Sequence, residues 1–219
     1  SRRTAGALAN LPANVSPLLL DLTGTADTTQ LQPLFYDATV ICAVAPGRRS
    51  GISQYAEALQ QLARLASAAG SRQVIHFSSS GIYQGLGGVV DEAAPLLKDD
   101  ARVSLLLQGE HALQQFAPTL TLRLAGLMGP GRHPGRFVAG KQLADADGPV
   151  NMVHAWDVIA AVKQVMAQSP CQGVYNLSCP ATETRRAFYQ KAALDAALAP
   201  ASFSDSKAAR KVAAGKFMQ

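Results

Sequence analysis

Basic side chains alternate with glycine and proline between Gly129 and Arg136, where the sequence reads Gly-Pro-Gly-Arg-His-Pro-Gly-Arg. Glycine lets the backbone approach a ligand closely, and proline reduces the entropy that a loop loses when it becomes ordered. Together with Lys141, the guanidinium groups of Arg132 and Arg136 could bind an anion such as a phosphate. His133 lies between the two arginines and is a further candidate for substrate contact. The alternative is a rigid loop whose cations are simply solvated.

Three consecutive serines, Ser78, Ser79 and Ser80, end an apolar run, and Tyr83 follows shortly after them. A serine hydroxyl can hydrogen-bond a substrate carbonyl or hydroxyl, and a phenol can exchange a proton with a substrate. Further along the chain, Asn151 and His154 lie just before a stretch with helical spacing and are weaker candidates for substrate contact. The alternative in each case is a structural role at the end of a strand or the start of a helix.

The hydrophobic pattern predicts the elements that must hold these side chains. Short apolar runs without polar alternation are typical of strands in a parallel sheet that is covered on both faces. Such runs occur at residues 18–22 and 38–46, and further strands are predicted at residues 73–79, 119–125 and 173–177. Helices are predicted at about residues 53–70, 100–116, 155–168 and 182–198. This alternation predicts an α/β fold with a mainly parallel sheet, in which ligands bind at the carboxyl ends of the strands.

The composition excludes several classes of protein. Hydrophobic residues make up 48% of the 219 residues and charged residues 16%, which indicates a packed globular chain. No apolar run approaches the roughly 18 residues of a membrane span, so no membrane association is predicted. Four basic residues between 206 and 219 supply most of the net charge of +5 and are interpreted as a solvated tail rather than a nucleic-acid surface. Three cysteines without paired spacing favour a reducing cytoplasm over a disulfide or zinc framework.

Several blocks of sequence, in the right order and spacing, resemble one known family. The blocks are HFSSSGIYQG (76–85) with VDEAAP (90–95), TLRLAGLMGPGR (121–132), VNMVHAWDVIAAV (150–162) and VYNLSCP (174–180). They resemble the signatures of extended short-chain dehydrogenase/reductases, the group of nucleotide-sugar epimerases and dehydratases, and above all an atypical bacterial NAD-dependent epimerase/dehydratase-like branch. The resemblance implies a Rossmann-type, doubly wound sheet. It also implies a dinucleotide-binding part over residues 1–125 and a small substrate lobe over residues 126–219, interleaved in one compact unit.

The same resemblance implies a bound nicotinamide dinucleotide, although the glycine-rich opening of the family is not recognisable here. About 30–35 residues, one βαβ unit, are expected upstream, with their strands between residues 18–22 and 38–46. Arg2 and Arg3 would then follow the second strand, where arginines suit the 2′-phosphate of NADP better than the ribose of NAD. The alternative is a pair of exposed terminal arginines. The remaining cofactor-binding candidates are Asp21, Leu22, Val44, Ala45, Pro46 and Ser78.

Catalysis in the family depends on a Tyr-x-x-x-Lys pair, and this chain departs from that pattern. Counted back from Glu110, the two positions hold Arg102 and Leu106, neither of which can act as the general base. Ser79 and Tyr83 are therefore the remaining catalytic candidates. Two functions stay open: an NADP-dependent (or NAD-dependent) oxidoreductase or epimerase acting on an anionic, nucleotide-sugar-like substrate, and a non-catalytic dinucleotide-binding or regulatory protein. The oligomeric state is also open, with a homodimer as one expectation.

Overall fold

The computed structural model describes residues 11–18, 20–23, 29–46, 53–115, 117–168, 170–180, 183–204 and 209–218. The helices are α1 (Gln32–Phe35), α2 (Ser53–Ala68), α3 (Ala101–Gln114), α4 (Pro134–Val138), α5 (Ala155–Met166) and α6 (Arg185–Asp195). The strands are β1 (Thr39–Cys42), β2 (Gln73–Ser79), β3 (Gly88–Val90), β4 (Thr119–Leu124), β5 (Gly126–Met128), β6 (Gln142–Leu143), β7 (Met152–His154), β8 (Gly173–Leu177), β9 (Ser202–Phe203) and β10 (Arg210–Val212).

Four parallel strands form the main sheet in the order β1-β2-β4-β8. Val40 lies opposite Val74, Val74 lies opposite Thr119, and Leu120 lies opposite Gly173. Each parallel step needs a long crossover, and α2, α3 and α5 lie in the three connections between consecutive strands of the sheet. The chain therefore has the α/β, Rossmann-type architecture that the hydrophobic pattern and the family resemblance predict.

Helices cover both faces of the main sheet, and the side chains of its inner strand β2 alternate between these two faces. Val74 packs with Leu59 of α2 and Leu113 of α3 on one face, whereas Ile75 packs with Val158 of α5 on the other. Successive residues of a strand point to opposite faces, so one strand contributes to two apolar cores. The cores fix the sheet between two helical layers and leave the carboxyl ends of the strands to carry the site.

The predicted elements with strong local patterns agree with the structure. The strands predicted at 73–79 and 173–177 coincide with β2 and β8, and the helices predicted at 100–116 and 155–168 contain α3 and α5. The Asp100 carboxylate caps α3 by accepting hydrogen bonds from the backbone N–H groups of Arg102 and Val103, at 2.9 and 3.0 Å. Gly70 follows the end of α2 with a φ of +70°, which a glycine adopts without strain.

The prediction of a strand at 18–22 is wrong for the residues of that run that the structure describes. Leu18 and Leu20 to Leu22 have no strand geometry, since β1 is the edge of the described sheet and no described strand lies beside them. Instead, leucines of this run line an apolar groove of about 590 Å³ against β1. Ile41 of β1 is 47% exposed, so this edge of the sheet is open in the described part of the chain.

Short two-stranded parallel pairs join segments that are far apart in the sequence. β10 pairs with β3, β5 with β7, and β6 with β9. Gly135 of α4 lies directly against the backbone of Ala192 in α6, where a Cβ atom would not fit. No helix among the described residues is long and apolar enough to cross a membrane. Those residues also contain no cluster of three or more His, Cys, Asp or Glu side chains arranged to hold a metal ion.

Candidate functional site

A cavity of about 260 Å³ lies beyond the carboxyl end of β2, between the turn that follows this strand and the later part of the chain. Its lining residues are Gly81, Gln84, Gly85, Leu86, Asp145, Gly148, Pro149, Asn151, Arg185, Ala209 and Arg210. In an open α/β sheet, ligands bind in the crevice outside the carboxyl ends of the strands. The position of this cavity makes it the candidate functional site.

Two guanidinium groups give the cavity its charge. Arg210 donates a hydrogen bond to the backbone carbonyl of Tyr83, which ties it to the turn after β2. Burial lowers the pKa of Arg210, and the neighbouring charge of Arg185 lowers it further. The Nε atom of Arg185 and the Oδ1 atom of Asp145 are buried, and neither has a hydrogen-bond partner among the described residues. Two close cations, one of which has an unused donor, can bind an anion.

Backbone pairing and capping bring these side chains together. The side-chain amide of Asn151 donates to the carbonyl of Arg210 and accepts from the N–H of Val212, both at 2.8 Å, which fixes β10 at the cavity wall. Arg185 is the first residue of α6, whose N-cap Thr184 accepts a hydrogen bond from the backbone of Ala187. The predicted substrate contact of Asn151 stays a prediction, since its side chain already bonds the backbone on both sides.

A buried polar network lies beneath the cavity. Glu110 accepts hydrogen bonds from Ser78 (2.6 Å) and from two nitrogens of Arg123 (3.1 and 2.8 Å). Arg123 also donates to the hydroxyl of Tyr83 (2.9 Å), which in turn donates to the side chain of Asn176 (2.8 Å). Burial lowers the pKa of Arg123, but its hydrogen bonds and the charge of Glu110 more than reverse this and hold the pKa above its usual value. The network joins β2, α3, β4 and β8.

The structure divides the predicted catalytic residues between two environments. Tyr83 is 0% exposed with its hydroxyl used in the network, and burial raises the pKa of its phenol. Ser79 is half-buried, and its Oγ accepts a hydrogen bond from the N–H of Gly81 at 3.1 Å, so its own proton remains available to a ligand. Ser78 is bonded to Glu110, and Ser80 is buried. The catalytic role of Ser79 fits this geometry better than that of Tyr83, and both stay predictions.

The basic loop does not assemble around the cavity. Arg132 donates to the carbonyl of Leu127 at 3.3 Å and lies over the ring of Phe137, while Lys141 donates to the carbonyl of Phe137 at 2.6 Å. Arg136 is exposed, and none of these three cations lines the 260 Å³ cavity. The anion clamp predicted from Arg132, Arg136 and Lys141 therefore does not lie at this cavity, and the contact of these residues with a substrate stays a prediction.

The two predicted substrate histidines lie together at a different place. His133 and His154 line a second cavity of about 460 Å³ beside α6. Each caps a helix, since the Nδ1 atom of His133 accepts from Gly135 at 3.3 Å and that of His154 accepts from Trp156 at 3.2 Å. Their contact with a substrate stays a prediction.

The predicted cofactor residues lie mainly along the open edge of the sheet. Leu22 and Val44 line the 590 Å³ groove beside β1, and Ala45 and Pro46 follow at the end of this segment. The carboxylate of Asp21 accepts hydrogen bonds from the backbone and hydroxyl of Thr23, at 3.0 and 2.7 Å. Arg2 and Arg3 lie outside the described residues, so the structure places neither of them.

No protein-family model matches the chain. Protein YeeZ of Escherichia coli strain K12 is 38% identical to it over 185 residues, which cover 82% of this chain and 67% of that protein. The chain belongs to the family of Protein YeeZ. The similarity identifies the relatives of the chain and leaves its chemistry to be argued from the site.

Solved structures of low sequence identity share the fold of this chain. A candidate NAD-dependent epimerase/dehydratase from Methylobacillus flagellatus is 20% identical with a TM-score of 0.72, over 97% of this chain and 79% of that one. The UDP-glucuronic acid 4-epimerase of Bacillus cereus, in complex with NAD, is 17% identical with a TM-score of 0.69, over 90% of this chain and 71% of that one. At these identities the likeness establishes the Rossmann-type fold.

Sequence reasoning missed the two arginines of the cavity. Arg210 was interpreted as part of a solvated basic tail, which is wrong because it lies half-buried in β10. Arg185 is the first residue of α6, and a cation at the N-terminus of a helix interacts unfavourably with the helix dipole. This unfavourable position indicates that Arg185 has a role other than stabilising the helix. No local pattern identified Arg210, since β10 forms only by pairing with the distant strand β3.

Proposed function

We propose that the chain is an NAD(P)-dependent oxidoreductase or epimerase-like protein that binds an anionic, nucleotide-sugar-like substrate in the 260 Å³ cavity. The observation that carries this proposal is the pair Arg185 and Arg210 at the carboxyl end of β2. Two neighbouring guanidinium groups, with the Nε donor of Arg185 unused, match the oxygens of a diphosphate, which accepts several charge-assisted hydrogen bonds at once. The cavity volume lies near the lower end of ligand pockets, so it would hold the diphosphate with part of a sugar.

The relatives in structure support the substrate class. The B. cereus protein is a UDP-glucuronic acid 4-epimerase with bound NAD, and another protein of this fold, MoeE5, is in complex with UDP-glucose and NAD. Their ligands combine a diphosphate with a sugar, which is the combination that the paired arginines favour here. On this proposal the division into a dinucleotide-binding part (1–125) and a substrate lobe (126–219) corresponds to the two sides of the cavity.

The groove beside β1 fits only part of a dinucleotide. Its described lining consists of apolar side chains such as Leu20, Leu22 and Val44, which suit the flat rings of adenine and nicotinamide. None of the described lining residues carries a cation or a glycine turn that could hold the pyrophosphate. We propose that an element added at the open edge of β1 supplies this cradle, and that Arg2 and Arg3 favour NADP over NAD. When bound, the nicotinamide would supply hydride chemistry, and Ser79 would orient a substrate oxygen.

The second candidate, a protein that binds without catalysis, rests on the Tyr-x-x-x-Lys positions alone and is not favoured by the solved structures of this fold. Leu106 is buried and apolar, and a guanidinium group is a poor general base, so neither Leu106 nor Arg102 replaces the family's proton-transferring pair. The two candidates differ in one readout, because hydride transfer changes the absorbance of the nicotinamide band and simple binding does not. We also propose a placement in the reducing cytoplasm, because three cysteines without paired spacing are typical of that compartment.

Calorimetric titration with UDP-glucose tests the substrate site. Loss of one charge-assisted hydrogen-bonding group should weaken binding by about tenfold or more in Arg210→Gln and in Arg185→Gln. Arg136→Gln, which removes an exposed arginine outside the cavity, is the matched control and should bind like the wild type. Equal affinity in all four proteins, or no binding in any, would contradict the proposal.

Titration of NADH and NADPH by nicotinamide fluorescence tests the cofactor site. The proposal expects tighter binding of either dinucleotide once an upstream segment is joined to this chain, and a preference for NADPH. Equal binding with and without that segment would refute the proposal that an added element holds the pyrophosphate. Equal binding of the two dinucleotides would refute the role of Arg2 and Arg3.

A further inference from the structure

Asp145 brings a negative charge into the cavity that holds the two arginines. It lines the same 260 Å³ space, and its Oδ1 atom is buried without a hydrogen-bond partner among the described residues. A buried carboxylate oxygen without a donor is costly, so such a group needs a reason. The charge of Asp145 attracts Arg210, but this attraction leaves the Oδ1 atom without a hydrogen bond.

The position of Asp145 is fixed by its surroundings. The residue has a φ of +58°, a left-handed conformation that aspartate and asparagine tolerate better than most residues. The turn is closed by the N–H of Gly148, which donates to the carbonyl of Asp145 at 3.2 Å, and Gly148 packs against Ala209. The N–H of Arg185 donates to the carbonyl of Gly148 at 2.8 Å. This turn therefore holds the carboxylate beside the start of α6 and beside the segment that carries Arg210.

Unused acceptor and donor atoms therefore lie in one cavity. The Oδ1 atom of Asp145 can accept a hydrogen bond, and the Nε atom of Arg185 can donate one. A bare diphosphate satisfies the arginine, but its concentrated negative charge is repelled by the carboxylate. A ligand with hydroxyl groups next to an anionic group satisfies both.

We propose that Asp145 is a specificity-determining residue that accepts a hydrogen bond from a sugar hydroxyl and disfavours anions without one. The inference rests on the proposed function for the identity of the full ligand, and it adds a requirement that the arginines do not impose. It assigns the cavity to sugar phosphates or nucleotide sugars rather than to free pyrophosphate. Asp145 acts in recognition and has no part in proton transfer.

Two variants test this role without disturbing the turn. Asp145→Asn keeps the shape and the left-handed preference but removes the charge, and Asp145→Gly removes the side chain at a φ that glycine adopts freely. Asp147→Asn is the matched control, because Asp147 belongs to the same loop, is exposed and does not line the cavity. Calorimetry with inorganic pyrophosphate and with UDP-glucose gives the two dissociation constants for each protein.

The selectivity for UDP-glucose over pyrophosphate should fall about tenfold in both Asp145 variants, since pyrophosphate gains affinity and UDP-glucose loses a hydrogen bond to a charged acceptor. The Asp147 variant should keep the wild-type ratio. An unchanged ratio in the Asp145 variants, or an equal fall in the control, overturns the inference. If UDP-glucose binds to none of the proteins, the proposed function fails. In that case the pyrophosphate titrations alone test the role of Asp145, which predicts tighter pyrophosphate binding in both variants than in the wild type.

Discussion

Replacing Glu110 with glutamine removes one charge from the buried network and leaves its shape almost unchanged. Glu110 is 1% exposed and Arg123 is 5% exposed, and the guanidinium Nη2 lies 2.8 Å from the carboxylate Oε2. After the change, the Arg123 guanidinium would stay buried without a compensating charge. The nearest polar groups, Ser78 and Tyr83, are neutral, so they cannot replace the carboxylate.

Breaking a buried ion pair by removing one partner costs about 3–5 kcal/mol. For a chain of this length, each kcal/mol lowers the melting temperature by about 2–4 °C, so Glu110→Gln should lower it by roughly 6–20 °C. Replacing both partners by apolar side chains, Glu110→Met with Arg123→Met, leaves no buried charge. The double variant should therefore lose less free energy of unfolding than Glu110→Gln does.

Urea unfolding followed by circular dichroism, together with thermal melting, measures these differences. The pair Asp37 and Arg72 is the matched control, because its atoms are a similar 3.0 Å apart but its side chains are 63% and 49% exposed. Solvent screens such a pair, so Asp37→Asn should leave the melting temperature nearly unchanged. If Glu110→Gln melts as the wild type does, or loses no more stability than Asp37→Asn, the buried ion pair does not stabilise the packing of α3 on the sheet.

Two further predictions concern the contribution of buried residues near this network to the stability of the fold. Burial lowers the pKa of His76 from 6.5 to about 4, against the opposing charge of Glu110. The unfolded chain then takes up this proton at higher pH than the folded one, so stability should fall by about 3 kcal/mol between pH 6.5 and 4. Subtracting the urea profile of His76→Gln isolates this component, and identical pH profiles would refute it. Gly109→Ala should destabilise α3 by about 1–3 kcal/mol despite the better helix propensity of alanine, because the new Cβ lies 2.9 Å from Leu59 and against the ring of Tyr55. A higher urea midpoint for that variant would show that α2 moves aside.

The sequence predicted the central strands and long helices because their signals are local. The run at 73–79 contains the apolar residues Val74, Ile75 and Phe77, and the helix at 101–114 starts at a capping aspartate, Asp100. The run at 18–22 has the same apolar character, yet it forms no strand among its described residues because no described strand lies beside it. Strand formation depends on the neighbour as much as on the residues, which is why this prediction failed.

The candidate site was only partly predictable for the same reason. Ser79 was found because it ends a recognisable strand, whereas Asp145 and Arg210 reach the cavity through contacts between segments far apart in sequence. The predicted clamp of the basic loop stays a prediction, since Arg132 and Lys141 bond to the backbone of their own segment and lie away from this cavity. The spacing identified residue types that are able to bind an anion, but it does not determine which groups their side chains contact.

The pairing of β10 with β3 has a consequence for how the protein is made. Arg210, which lines the cavity, lies more than a hundred residues after the turn that forms the opposite wall. A ribosome synthesises the chain from its amino end, so the main sheet can assemble while the cavity still lacks one side. Ligand binding therefore cannot assist the early folding of the nascent chain, and any pause in translation before residue 210 leaves the pocket unfinished.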